Sequence, residues 1–198
     1  MPLTQEEITN RRLSIGGSDL ASICGVNPHK SAFKLYLEKI GEVVDQNQTD
    51  NDLLLFGNVF EEAVAKIYAI KHKVKLDEFK STLVHPNYNF ITGNPDRVCI
   101  EDWRLIEIKT TGIRGLSIWR NPENAYELRV PQHVILQVNH YLGLMNWTEA
   151  DIVLLNFAES YYTERYYEFE IGFDKELFDL SIEMAVKFWK NNVLQKVP

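Results

Sequence analysis

The stretch Gly93–Thr111, GNPDRVCIEDWRLIEIKTT, decides the reading of this chain. Its second half, Arg104 to Thr110, is rich in β-branched residues and reads as a strand. Side chains alternate along a strand, so Glu107 and Lys109 share one face while Ile106 and Ile108 share the other and enter a core. Asp96 opens the preceding strand, Arg97 to Glu101, and the turn at Glu101–Asp102 returns the chain beside it. Asp96, Glu107 and Lys109 are therefore expected to converge at one point.

That trio suits metal-dependent hydrolysis of a phosphodiester. Two carboxylates offer hard oxygen ligands to Mg²⁺, which keeps water and substrate phosphate in its remaining positions. A strand carbonyl, here that of Ile108, completes such a shell. The ion lowers the pKa of its bound water, and a neighbouring ammonium orients that water and stabilises charge in the transition state. Spacing alone also fits an exposed strand that happens to carry Asp, Glu and Lys, so the flanking sequence has to discriminate.

Working outward, Ser81–His85 and Tyr88–Thr92 are two further short β segments separated by Pro86–Asn87, and Gly93–Asn94–Pro95 follows. Together with the two strands above they read as an antiparallel meander. Upstream, residues 4–13 read as a helix with Thr4 and Glu7 in a capping box. SIGGS (14–18) reads as a glycine-bearing turn, with Ser18 or Asp19 capping a short helix over Leu20–Cys24. Ser31 starts a helix with Phe33, Leu37 and Ile40 on one face and Gly41 as its stop. Gly57 precedes a helix over Asn58–Ile70 with an apolar stripe of Val59, Phe60, Ala63, Val64 and Ile67. Between these two helices Asp45–Asp52, DQNQTDND, has no hydrophobic residue and reads as a solvated, mobile loop.

Downstream, Pro131 opens a helix to about Met145. Ile152–Phe157 and Arg165–Ile171 read as strands, and Asp174 caps a last amphipathic helix carrying Leu177, Leu180, Met184 and Phe188. The order gives an α/β (α+β) class with a mixed central sheet flanked by helices, in one domain over residues 1–198.

Composition fits this and removes several classes. With 198 residues, 45% of them hydrophobic, the chain can build one ordinary core. Twenty-eight acidic against 21 basic residues give a formal charge of −7, which excludes binding nucleic acid by bulk charge but not by a local basic patch. Two cysteines, Cys24 and Cys99, are too few for a zinc ribbon, a four-cysteine cluster or a disulfide scaffold, and read as small buried hydrophobes. His133 and His140 have no further ligand at zinc spacing. The first ten residues hold no apolar signal core and the chain no 18-residue apolar run, so a cytoplasmic protein without membrane attachment is expected.

The flanking blocks resemble one family. Arg11–Asp19, RRLSIGGSD, the KIGE that ends the Ser31 helix, FGNVFEEAVAKIY, PD…EIKTT, then Trp119, Val130–Pro131, Gln137–Tyr141 (QVNHY) and Phe188–Trp189 follow in order across nearly the whole chain. This ordered set is similar to the YqaJ and lambda exonuclease family of phage recombination nucleases, in the PD-(D/E)XK superfamily. The resemblance implies a restriction-endonuclease-like core.

It also implies roles. Asp96 and Glu107 would be metal ligands and Lys109 the catalytic lysine. A glutamate of the helix after Gly57 would serve a second ion. Periodicity leaves Glu61 and Glu62 equivalent, and the family position favours Glu61. Gln137 would approach the nucleophilic water or the bound phosphate, with Tyr141 one turn further on. The alternative for both is a buried hydrogen-bond network. Arg11 and Ser18 would anchor a 5′-terminal phosphate, the arginine as a bidentate fork and the glycine turn through its backbone N–H groups. Arg114 is a further phosphate candidate, and Asn94 stands where the lambda-type motif has serine.

The implied activity is that of a Mg²⁺-dependent exonuclease, with Mn²⁺ as a substitute and one or two ions per site. It would degrade one strand of double-stranded DNA from a 5′ end, releasing 5′-mononucleotides and leaving a 3′ tail for recombination. A homotrimeric ring around DNA, with the acidic surplus outward, and a single-strand annealing protein as partner would follow. The rival readings are an endonuclease of restriction or repair type and a non-catalytic DNA-end-binding subunit.

Overall fold

The computed structural model describes residues 5–43, 52–124, 127–157 and 165–198, without the side chains of residues 5–8, 52–55, 58, 113 and 114. The Thr4–Glu7 capping box and the expected loop at 45–52, save the backbone of Asp52, lie outside the described residues.

Four helices come first: α1 (Gln5–Arg12), α2 (Gly17–Ile23), α3 (Ala32–Ile40) and α4 (Asp52–His72). Strands β1 (Asp77–Glu78), β2 (Leu83–His85), β3 (Tyr88–Gly93), β4 (Arg97–Cys99) and β5 (Arg104–Thr111) follow, then α5 (Ile113–Trp119) and α6 (Gln132–Met145). Strands β6 (Glu149–Asn156) and β7 (Tyr166–Gly172) and helix α7 (Lys175–Phe188), continued by a π-helical turn over Trp189–Val193, end the fold.

The central sheet has five strands in the order β1-β4-β5-β6-β7. Strands β5 and β6 run parallel and the other neighbours antiparallel, so the sheet is mixed as expected. The expected meander is divided. Strands β2 and β3 form their own two-stranded sheet, and β3 does not pair with β4. The chain leaves β3 through Asn94 and the buried Pro95. Proline has no N–H to donate, which favours a break in the pairing at this connection. The edge strand β1 and helix α5 were not anticipated; their few residues carry too short a pattern to read.

Alternation along β5 and β6 divides the core. Leu105, Ala150, Ile152 and Leu154 pack with Val134, Val138, Tyr141 and Leu142 of α6. Ile106, Ile108 and Val153 pack on the opposite face with Val64, Ala65 and Tyr68 of α4. Each such side chain, once buried, contributes about 1.5–3 kcal/mol. A third cluster joins Leu20, Leu35, Tyr36, Ile91, Ile182, Phe188 and Trp189. Here the N-terminal helices meet β3 and α7. Cys99 is buried, whereas Cys24 is partly exposed with its Sγ beside Met184.

Caps and stops fall largely where expected. Ser31 Oγ accepts the Lys34 N–H at 3.2 Å, Gly41 ends α3 at φ 84°, and Asp174 Oδ1 accepts the Leu177 N–H at 3.0 Å. Helix α2, however, begins at Gly17, and Asp19 lies inside its first turn with Oδ2 accepting the Gly16 N–H at 3.1 Å. Helix α4 begins before Gly57, not after it.

Three helix faces are rotated from the expected stripes. On α4, Val59 and Ile67 are exposed and the buried line is Val64, Ala65 and Tyr68. On α3, Phe33 is exposed and Leu35 and Tyr36 are buried; on α7, Leu180 is exposed and Ile182 and Ala185 are buried. Each helix carries apolar residues around more than half its circumference, so the packing surface decides which of them is covered.

Candidate active site

The site forms on the α6 side of the sheet, near the end of β4 that follows Pro95. Glu107 and Lys109 lie on one face as their spacing requires, and Lys109 Nζ donates to Glu107 Oε1 at 2.7 Å. Asp96 reaches the same strand: its Oδ2 accepts the Ile108 N–H at 2.9 Å. The N–H and C=O of one strand residue face the same side, so the Ile108 carbonyl is also directed toward Asp96. Helix α6 covers the group. Gln137 Oε1 accepts from Lys109 Nζ at 3.1 Å, and Gln137 Nε2 donates to the Tyr141 hydroxyl at 3.1 Å.

Helix α4 adds acid from across the sheet edge. Arg97 donates to Glu61 Oε1 at 2.6 Å, to the Asp96 carbonyl at 2.7 Å and to Glu62 Oε2 at 3.1 Å. Periodicity left Glu61 and Glu62 equivalent; packing separates them. The Glu61 side chain is 27% exposed and that of Glu62 57%. Only Glu61 lies on the covered line of α4 with Val64, Ala65 and Tyr68, and its carboxyl feels Asp96.

Charge is concentrated here in a poorly hydrated place. Burial, then the Asp96 charge, push the Glu107 carboxyl up to about 7, against the pull of Lys109. Burial also raises Asp96, outweighing Lys109 and the Ile108 N–H. Burial and Asp96 raise Glu61 over the opposing Arg97. Burial pulls Lys109 down, yet Glu107 and Asp96 together hold its ammonium above the usual lysine range. Lys109 is thus a cation at neutral pH and unsuited to act as a base.

The residues fit a divalent ion. Glu107 is fully buried and its Oε2 has no hydrogen-bond partner, a costly state for a carboxylate unless something else satisfies it. The donor set is oxygen only, which suits a hard cation. Among the described residues no three His, Cys, Asp or Glu side chains are already gathered at ligand distance. Lys109, Arg97 and the Ile108 N–H hold the carboxylates one by one.

The other expected residues separate into groups. The QVNHY block divides in two. Gln137 and Tyr141 face the cluster, whereas Asn139 exchanges two hydrogen bonds with the Asp174 backbone, at 2.8 and 2.9 Å. His140 is fully buried against the Thr92 carbonyl at 2.9 Å, and burial pulls it down to about 4, so it is a neutral core residue. Tyr141 is not placed as a DNA contact. It is 5% exposed, and its ring fills the space where Gly17 and Gly93 lack side chains; a Cβ there would stand 2.7 and 2.9 Å from ring carbons. Trp119, Phe188 and Trp189 are buried core residues.

Arg11 and Ser18 are exposed on the N-terminal turn, and Asn94 is exposed with its Oδ1 accepting from Thr82 at 2.9 Å. The Gly16 N–H expected to be open is taken by Asp19, because a carboxylate at the third helical position folds back onto the turn. The side chain of Arg114 lies outside the described residues. Two residues were missed. Arg97 follows Asp96 directly and its position beside PD was the available signal. Lys39 is buried under the turn, and nothing in its periodicity marks it.

A mixed sheet between helices, with carboxylates and a lysine converging at the β4–β5 pair, defines the PD-(D/E)XK restriction-endonuclease-like class of fold. Comparison with known proteins agrees. A YqaJ-like viral recombinase domain model matches residues 8–150, and the chain belongs to that family. It is 34% identical over 191 residues to the uncharacterized protein YqaJ of Bacillus subtilis (strain 168), covering 96% of this chain and 56% of that protein. The chain thus spans little more than half the length of that relative. Among solved structures, an alkaline exonuclease (LHK-Exo) from Laribacter hongkongensis superposes with a TM-score of 0.72 at 18% identity, covering 97% of this chain and 94% of that one. A phage related exonuclease from Haemophilus somnus 129PT gives a TM-score of 0.64 at 16% identity, covering 93% and 96%. At these identities the likeness is one of fold.

Proposed function

We propose that this domain is a divalent-metal-dependent DNA exonuclease that degrades one strand of duplex DNA from a 5′ end. The observation that carries the reading is the buried Glu107 carboxylate, its Oε2 unpartnered, beside Asp96 and the Lys109 ammonium. The family and the exonuclease fold of the neighbours support it. So does the crystal structure of LHK-Exo in complex with dAMP, a nucleotide, with a TM-score of 0.69 at 16% identity and coverage of 97% and 94%.

Asp96, Glu107 and the Ile108 carbonyl would hold a first Mg²⁺ or Mn²⁺ ion, and Glu61, once released by Arg97, a second. When bound, the metal lowers the pKa of a water and braces the phosphoryl charge. The chain's own residues do the rest. Lys109, kept protonated, presents its N–H groups toward the attacking water and the charge that develops on phosphate oxygens. Gln137 fixes Lys109 in direction, and Tyr141 fixes Gln137. Arg11 and Ser18 take the terminal 5′-phosphate, with Asn94 and Arg114 as further phosphate contacts. In-line attack then releases a 5′-mononucleotide and leaves a 3′ single-stranded tail. A recombination partner that anneals single strands would take up that tail. A trimeric ring in the cytoplasm, with the charge of −7 outward, fits DNA held in a central channel. Among the described residues no helix is long and apolar enough to cross a membrane.

The test is digestion of a linear duplex labelled at either end, with Mg²⁺ and with chelator. Mg²⁺-dependent release of the 5′ label first, as a mononucleotide, is expected. Efficient linearisation of a circular duplex, or release of the 3′ label first, overturns the reading.

A further inference from the structure

Beneath the N-terminal turn lies a buried cation that the chemistry above does not use. Lys39, in the last turn of α3, has a side chain only 5% exposed. Its Nζ donates to the Arg11 carbonyl at 2.6 Å and to Asp19 Oδ2 at 2.7 Å. The same Asp19 oxygen accepts the Gly16 N–H. One ammonium therefore ties the end of α1, which carries Arg11, to the first turn of α2, which carries Ser18.

We propose that Lys39 is the positioning residue of the 5′-phosphate anchor, holding Arg11 and Ser18 at a fixed separation without touching the phosphate. The proposal rests on the anchor reading given above. The two anchor side chains come from different helices, so their spacing is set by what joins those helices. The Arg11 carbonyl lies at a helix end, where backbone acceptors lack intrahelical partners and a lysine can satisfy them. A buried charge is costly unless fully paired, and the Lys39–Asp19 pair adds register that an apolar residue would not impose.

The turn is fixed to the Asp96, Glu107 and Lys109 group as well. Ile15 is stitched to β3, its N–H donating to the Phe90 carbonyl at 2.6 Å and its carbonyl accepting the Thr92 N–H at 2.9 Å. Gly17 lies against the Tyr141 ring, whose hydroxyl meets Gln137, which meets Lys109. Lys39 thus sets the end-binding groups on a scaffold that already refers to the scissile position. Positioning of this kind affects rate through geometry alone.

The experiment compares digestion of duplexes with 5′-phosphoryl and 5′-hydroxyl ends by wild type, Arg11→Ala, Lys39→Met, Lys39→Arg and Asp19→Asn. Mg²⁺-dependent hydrolysis of bis(para-nitrophenyl) phosphate, which has no terminal phosphate to anchor, is measured in parallel. Lys39→Met is expected to lose about tenfold in its preference for the phosphorylated end while hydrolysis of the small diester stays within about twofold. Lys39→Arg restores most of that preference. Should Lys39→Met not fold, Asp19→Asn, which keeps the bond to the Arg11 carbonyl, is expected to lose about threefold by the same measure. Wild-type discrimination in the folded Lys39→Met or in Asp19→Asn, alongside its loss in Arg11→Ala, overturns the role of Lys39 and leaves the anchor standing. A wild type indifferent to the end group, or an Arg11→Ala variant that keeps full discrimination, overturns the anchor and the proposal together.

Discussion

Glu107 and Lys109, two residues apart on β5, share an ion pair of 2.7 Å in which only one carboxylate oxygen is engaged. The lysine holds a buried acid in place and leaves its second oxygen free. Replacing Lys109 by Met removes the nearest cation from Glu107, which then takes up a proton instead of standing charged in the interior. The fold should survive with a small change in melting temperature, while turnover on duplex DNA falls by about 10²-fold or more, as for the loss of a transition-state donor. Thermal melts and kcat measured on the same preparation check this.

The pH dependence follows from Glu107. Burial and the neighbouring Asp96 charge push its carboxyl up to about 7 in the folded protein, from the 4.5 of a solvated glutamate. Between those values the metal-free folded protein keeps a proton that the unfolded chain has lost. Its stability therefore declines as pH rises from 4.5 through 7. Urea melts in chelator at pH 5, 6, 7 and 8 should show that decline, and Glu107→Gln should flatten it. A metal ion must displace the same proton, so Mg²⁺ affinity should rise with pH through 7 with proton release, read by calorimetry in buffers of different ionisation enthalpy.

Arg97 bridges Glu61 and Glu62 and so engages the carboxylate that the proposed second ion would use. Arg97→Gln should free Glu61 and raise the affinity of the weaker divalent site by about fivefold, at a cost to stability of about 1–3 kcal/mol from the lost charge-assisted bonds. Mn²⁺ titration followed by calorimetry measures the first and urea melts the second. An unchanged or weaker second site would show that Glu61 serves no ion.

Gly17 admits the Tyr141 ring, and a methyl group there would stand 2.7 Å from Cε1. Gly17→Ala should destabilise by about 1–3 kcal/mol, the usual cost of overpacking. It should also lower kcat beyond what the melting temperature explains, because the displaced tyrosine no longer holds Gln137. Gly57→Ala, with nothing within 4 Å of the added carbon, is the control.

How legible this was depended on period. The EIK strand has a strict two-residue alternation, and Glu107, Lys109, Ile106 and Ile108 all fall on the faces it requires. The Ser31, Gly41 and Asp174 boundaries were equally readable, since each is a local hydrogen bond or a left-handed residue. Helix faces were not. Val59, Ile67, Phe33 and Leu180 extend the apolar stripes beyond the part that is covered, and the packing partners determine that part: β5 and β6 for α4, α2 for α3, and α6 and α2 for α7. Glu61 could be told from Glu62 only after that rotation was known. That β3 pairs with β2 and not with β4 was hidden because a turn at Asn94–Pro95 looks the same whether the strands it joins pair or part. Lys39 was invisible for a further reason: a lysine near a helix end is ordinarily solvated, and its burial depends on Asp19, twenty residues away.

If Asp96 and Glu107 together hold the catalytic ion, metal binding and digestion depend on the same two carboxylates. The most direct measurement pairs Mn²⁺ binding by calorimetry with Mg²⁺-dependent digestion of an end-labelled duplex, for wild type and for Asp96→Asn, which retains a side-chain oxygen for the Ile108 N–H. Loss of the tighter binding event together with digestion, at an unchanged melting temperature, is the predicted result. Full metal-dependent digestion by the folded variant would remove Asp96 from the ligands of the catalytic ion.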